Sequence, residues 1–137
     1  MLTPLKIQKI ELSLAYTAVI LASQEDSFTL YLPLASGKLL QQLVAKVSSE
    51  RPSSFDIILS LITGCHLRPD HILIDKENEG IFHTKIFLEK AEGVLKQIFE
   101  IDAKPSESLA LAIKYQLPIL IPQTLFTRLI TSQSPAL

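Results

Sequence analysis

Two carboxylates, Glu100 and Asp102, stand two residues apart in an apolar, strand-like stretch, so both point to one face. Paired acids on one face can hold a divalent cation or share acid and base duties. Glu107 follows one turn into the next helical pattern and extends the acidic set. Two further segments, Arg51-Pro52-Ser53 and Lys104-Pro105-Ser106, place a cation, a proline and a hydroxyl before an apolar run. The first turn of a helix offers unpaired N–H groups to an anion, so each segment is a candidate phosphate site. Each also has a purely structural reading, in which serine caps, proline fixes the first turn and the cation is solvated. Strand-end acids are likewise often simply solvated.

Other chemistries find less support. His66, His71 and His83 show neither HxH nor HExxH spacing. His83 shares a strand face with Ile81, Lys85 and Phe87, which reads as a solvent or interface surface. The single cysteine, Cys65, excludes an internal disulfide and reads as a small buried core residue. Its neighbour His66 is adjacent in sequence and so points elsewhere. With four glycines and no Walker, GxGxxG or GxSxG pattern, a phosphate-cradling glycine loop is excluded.

The bulk of the chain fits these sites into one ordinary domain. At 137 residues, 47% hydrophobic and 20% charged, it can bury a core without staples. Thirteen Lys+Arg balance 14 Asp+Glu, so any grip on nucleic acid needs locally clustered charge. No signal-peptide pattern opens the sequence and no long apolar run spans a membrane, so a cytoplasmic protein is expected. The domain is expected over 1–131, with a frayed tail at 132–137.

The elements that must position the acids and cations follow from periodicity. Ile10, Leu12 and Leu14 alternate with polar residues, Tyr16–Ala22 reads as a strand covered on both faces, and Phe28–Leu32 as a third that stops at Pro33. Leu39, Leu40, Leu43, Val44 and Val47 line one helical face. Ser53 and Asp56 form a capping-box pattern before Ile57–Ile62, an apolar helix expected to be deeply buried and to end at Gly64. The second half starts with a strand around Ile72–Ile74, a turn at Asn78-Glu79-Gly80, a strand with Phe82, Thr84, Ile86 and Leu88 on one face, and a third over Val94–Asp102. Pro105-Ser106 opens a helix carrying Leu109, Ala112 and Ile113; Ile119–Ile121 is short and apolar, and a closing helix runs over 122–130. Each half reads β-β-β-α-α, which predicts an α+β fold of two β3α2 repeats sharing one curved, mixed sheet.

Read together, Arg51-Pro52-Ser53-Ser54-Phe55-Asp56 and Ile101-Asp102-Ala103-Lys104-Pro105-Ser106-Glu107, followed by Leu109-Ala110-Leu111-Ala112, resemble the bifunctional nuclease domain family. Its pattern is R-P-x-T-H-D before one helix and I-D-A-R-P-S-D-A before another, and the likeness spans about Tyr16 to Phe126. The resemblance implies a barrel-like sheet, a homo-oligomer and cleavage of DNA and RNA phosphodiester bonds, with single-stranded DNA or RNA as partner. It implies Asp56, Asp102 and Glu107 as catalytic residues that hold Mg²⁺ or Mn²⁺, and Arg51, Lys104 and Ser106 as phosphate ligands. Lys104 stands in place of Arg and Glu107 in place of Asp. Phe55 stands where the family has His, and Lys38 where it tends to have an acid. Those two changes imply an alternative, an inactive oligomeric interaction or regulatory protein on the same fold. A small-anion module using the two helix starts is a third.

Overall fold

A computed structural model describes residues 1–48 and 51–133. The order is β1 (Leu2–Leu12), β2 (Tyr16–Ser23), β3 (Asp26–Pro33), α1 (Leu34–Ala45), α2 (Ser54–Gly64), β4 (Arg68–Asn78), β5 (Ile81–Glu92), β6 (Leu95–Ala103), α3 (Pro105–Tyr115), β7 (Ile119–Pro122) and α4 (Gln123–Gln133). The strands form one seven-stranded sheet in the order β3-β2-β1-β7-β4-β5-β6. Among the described residues only β4 and β7 pair in parallel, so the sheet is mixed. The α+β architecture of two three-strand units with helices against a shared, curved sheet is therefore present, and the sheet stays open.

Curvature has a local cause. β1 pairs with β7 over Leu2–Leu5 and with β2 over Lys6–Leu12, and its register slips between Ile7 and Lys9. Such a bulge bends a strand and increases its twist. The bend carries β3 round towards β5, where Phe28 stacks on Phe82 at 5.9 Å and meets Phe126 of α4 edge-on at 6.0 Å. The core fills the concavity: Val19, Leu21, Leu30, Ile72, Ile74, Ile86, Leu88 and Ile121 from the strands, Leu40 from α1, Leu109 from α3 and Leu129 from α4.

The repeat is real at the level of β3α. α1 and α3 each follow the third strand of a meander, and each ends on a left-handed residue, Lys46 and Gln116, whose successor bonds back to the last turn (Val47 N–H to Gln42 O, Leu117 N–H to Ala112 O). Each is also tied to the middle strand of its unit by a buried threonine. Thr17 donates to the Pro33 carbonyl at 3.3 Å, and Thr84 to the Ala103 carbonyl at 2.7 Å. Opposite each threonine the helix carries a small fourth residue, Gly37 or Ser108. α3 therefore corresponds to α1, so Lys104-Pro105-Ser106 and Arg51-Pro52-Ser53 are not equivalent positions of a duplication. The second unit also inserts β7 between its helices.

Several local expectations are corrected. α2 is not deeply buried: Phe55 and Ile62 reach the core while Ile57 and Leu61 are each 59% exposed. Val44 and Val47 are exposed too, because α1 seats itself through Leu40 and Gly37. Cys65 is exposed, since it follows the last turn of α2, and the chain reverses at His66 with φ 56°. Leu14 belongs to the turn after β1, and Ser132 and Gln133 belong to α4; the rest of the expected tail lies outside the described residues. No helix among the described residues is long and apolar enough to cross a membrane.

Candidate functional site

The junction of β6 and α3 is tied together by several local hydrogen bonds. Lys104 is extended, and Pro105 starts the helix with the backbone angle it already favours. The Glu107 carboxylate accepts the Lys104 N–H at 3.0 Å, and the Lys104 carbonyl accepts the N–H groups of Glu107 and Ser108. Thr84 and Ser108 share a buried hydrogen bond of 2.6 Å beneath this turn. These bonds fix Lys104 and Glu107 at the helix start, and with Asp102 and Ser106 the two line a cleft of about 910 Å³. Its opposite wall is the end of β3 with Tyr31 and Pro33, and its floor is the β4–β5 hairpin with Asp75, Lys76, His83 and Lys85.

Charge in this cleft is organised around Lys85. Its ammonium lies 2.7 Å from Glu100 and 3.9 Å from Asp75, and its backbone is paired with Asp102 across the ladder. The hydrogen bond to Glu100, with the charges of Asp75 and Asp102, raises the Lys85 pKa above its ordinary 10.5. Lys85 is thus a fixed positive charge at neutral pH, and Glu100 is engaged with it. Asp102 and Glu107 remain as the carboxylates beside the α3 start.

The α2 start lies elsewhere. Ser53 and Asp56 form a reciprocal box: Asp56 Oδ2 accepts the Ser53 N–H at 2.7 Å and its hydroxyl at 3.0 Å, while Ser53 Oγ accepts the Asp56 N–H at 3.4 Å. The Ser53 backbone N–H, then its hydroxyl, and more weakly the Lys114 ammonium, hold the Asp56 carboxyl below its usual range. Asp56 and Arg51 line a groove of about 1130 Å³ between α1 and α2, together with Lys38 and Lys114. Lys114 belongs to the last turn of α3, so Asp56 faces the opposite end of that helix from Glu107.

The predicted set is therefore divided. Asp102, Lys104, Ser106 and Glu107 share one cleft, while Arg51 and Asp56 share another. The expected trio of Asp56, Asp102 and Glu107 does not converge on one point. Among the described residues no three His, Cys, Asp or Glu side chains form a metal cage. The physical reason is placement: Asp56 opens α2 beside Lys114 at the end of α3, whereas Asp102 and Glu107 stand at the start of α3. Phe55 links the two regions: the side chain is buried and lines a narrow apolar cleft of about 390 Å³ with Asp102, Glu107 and Leu111. The phenyl ring brings no titratable group to this cleft.

Sequence reading passed over Lys76, Lys85 and Tyr31, and set His83 aside. A signal existed for Lys85, which shares its strand with Thr84, but the register that sets it opposite Asp102 is a tertiary fact. His71 sits apart, bonded to Asp70 at 2.6 Å and stacked on Phe87 at 4.3 Å.

Comparison with known proteins agrees with the site motifs. The model of the bifunctional nuclease domain matches residues 19–133, which includes both clefts and all four helices. A search of curated proteins finds no match. With the two motif segments placed at the starts of α2 and α3, and the match running from β2 to the end of α4, the chain belongs to the bifunctional nuclease domain family.

Proposed function

We propose that this domain cleaves phosphodiester bonds of single-stranded DNA or RNA in the cleft at the start of α3. One observation carries the reading: Asp102, Lys104, Ser106 and Glu107, from the second family-like motif, line a cleft that also holds Lys76, His83 and Lys85. Lys104, Ser106 and the first turn of α3 bind the scissile phosphate, and Lys76 and Lys85 offset charge that builds on it during cleavage. His83, which lines the same cleft, serves as the acid–base group for a leaving or attacking oxygen. Arg51, with Lys38 and Lys114, takes backbone phosphates further along the strand, and Asp56 positions that helix start.

Mg²⁺ or Mn²⁺ fits two carboxylates with substrate oxygens and water completing its shell, the usual mode for a small hard cation at a phosphate. Asp102 and Glu107 are the residues that would hold it, and it would supply an activated water and charge stabilisation. Tyr31 forms the facing wall, where a base can stack.

The test is end-labelled single-stranded DNA and RNA incubated with the full chain in Mg²⁺, Mn²⁺ or EDTA. Metal-dependent cleavage reduced at least ~100-fold by Asp102→Ala, the scale of losing a charge-stabilising or acid–base group, is expected. Equal cleavage by wild type and Asp102→Ala sinks the proposal. The buried Phe55, in the place of a histidine, favours one second reading, a non-cleaving oligomeric interaction protein. It predicts retained binding of the same strands with no product.

A further inference from the structure

The two edges of the sheet are treated differently. At the β3 edge, Gln133 of α4 acts as a one-residue strand: its Oε1 accepts the Thr29 N–H at 2.7 Å and its Nε2 donates to the Thr29 carbonyl at 3.0 Å. At the other edge, β6 ends the sheet, and every residue from Leu95 to Asp102 is exposed. Among the described residues no such clamp closes it. Leu95 and Ile98 are 72% and 69% exposed, with Phe99 and Ile101 also open. An uncovered edge with this much apolar surface is a template for another strand.

The hairpin fixes which groups it offers. Glu92 pairs with Leu95 across the two-residue turn Gly93-Val94, with Gly93 at φ 61°. The pair that closes a two-residue loop exchanges both hydrogen bonds, and the β5–β6 register runs on without a slip. Leu95, Gln97, Phe99 and Ile101 therefore turn their backbone groups to β5. Lys96, Ile98 and Glu100 turn theirs outward.

We propose that two copies of this chain join β6 to β6, antiparallel, about a two-fold axis at Ile98. In that register the outward groups of Ile98 meet Ile98 of the second copy, and Lys96 meets Glu100 twice. Leu95 falls opposite Ile101, and Gln97 opposite Phe99, on the other face. The charge pairs extend bridges already present, Lys96 to Glu89 at 3.0 Å and Glu100 to Lys85 at 2.7 Å. A parallel, in-register pairing would instead stack Lys96 on Lys96 and Glu100 on Glu100, so the sequence of β6 selects the antiparallel arrangement. The apolar face of β6 is continuous, through Ile101, with the cleft lined by Ile58 and Leu61, which the second copy would also shield.

Sedimentation or light scattering of the full chain tests this, with a mass of twice 15.2 kDa expected. Ile98→Pro removes an N–H that points away from β5, so the monomer fold is kept and the dimer is lost. Lys96→Glu and Glu100→Lys each weaken the dimer about tenfold by making two like-charge contacts, and the double swap restores it. A monomer at about 100 µM, a concentration that would populate even a weak dimer, overturns the proposal. So does a trimer, or a dimer that survives Ile98→Pro with its circular dichroism unchanged.

Discussion

Two small residues set how closely each main helix approaches its sheet. A Cβ added at Gly37 would lie 1.9 Å from Thr17 Oγ1 and 2.7 Å from Thr17 Cβ, a clash with the rigid stem of a buried side chain. Alanine gains about 1 kcal/mol of helix propensity there. It loses more to overpacking, about 1–3 kcal/mol, and the displacement of α1 adds to that. Gly37→Ala is thus expected to lower stability in denaturant titration, against the usual sign for a helical glycine. In the second unit the same contact is polar. Thr84→Val leaves the buried Ser108 hydroxyl without its 2.6 Å partner and costs about 1–3 kcal/mol; adding Ser108→Ala recovers part of it in a double-mutant cycle. Neither threonine was legible as a tether, because the pairing links residues 20 and 24 apart in sequence through a turn geometry that patterning does not encode.

Among the elements, α2 is held at its start more than along its length. The Ser53–Asp56 box was readable from spacing alone, since both partners lie within one turn. The burial of the helix was not: an all-apolar run shows that partners are wanted, not whether the chain supplies them. The Asp56 carboxyl is depressed in the folded state, so its contribution to α2 is full above its ordinary pKa of 3.8 and is lost as pH falls through the lower folded value. NMR titration should place Asp56 below 3.8. Ser53→Ala should move it back up and cost about 1 kcal/mol of helix stability, seen as faster amide exchange across α2. The strands were legible for the opposite reason, that period-2 alternation is local, while the order joining β1 to β7 to β4 is not.

For the whole molecule, net charge −1 bounds how nucleic acid can be held. The α3 cleft sets Lys76, Lys85 and Lys104 against Asp75, Asp102 and Glu107, so few phosphates can be neutralised at once. Two or three single-strand phosphate contacts give a log–log salt slope of about −1.4 to −2, far shallower than that of a basic binding protein. Fluorescence anisotropy with a labelled oligonucleotide across salt concentrations measures it; a slope near −5 would mean a much larger basic surface is engaged. The second motif segment was readable as a site because its residues are contiguous, whereas the cleft's other wall comes from β3 and β4–β5.

The four residues of β7 occupy the centre of the sheet although they follow both three-strand units along the chain. They lie between β1 and β4, antiparallel to one and parallel to the other. A chain emerging from the ribosome can form each three-strand unit early, yet must wait for Ile119–Pro122 before the halves close on a common core. Assembly is therefore governed by long-range loop closure, which slows folding. Until it occurs, the edges of β1 and β4 that β7 covers stand unpaired and open to wrong pairing.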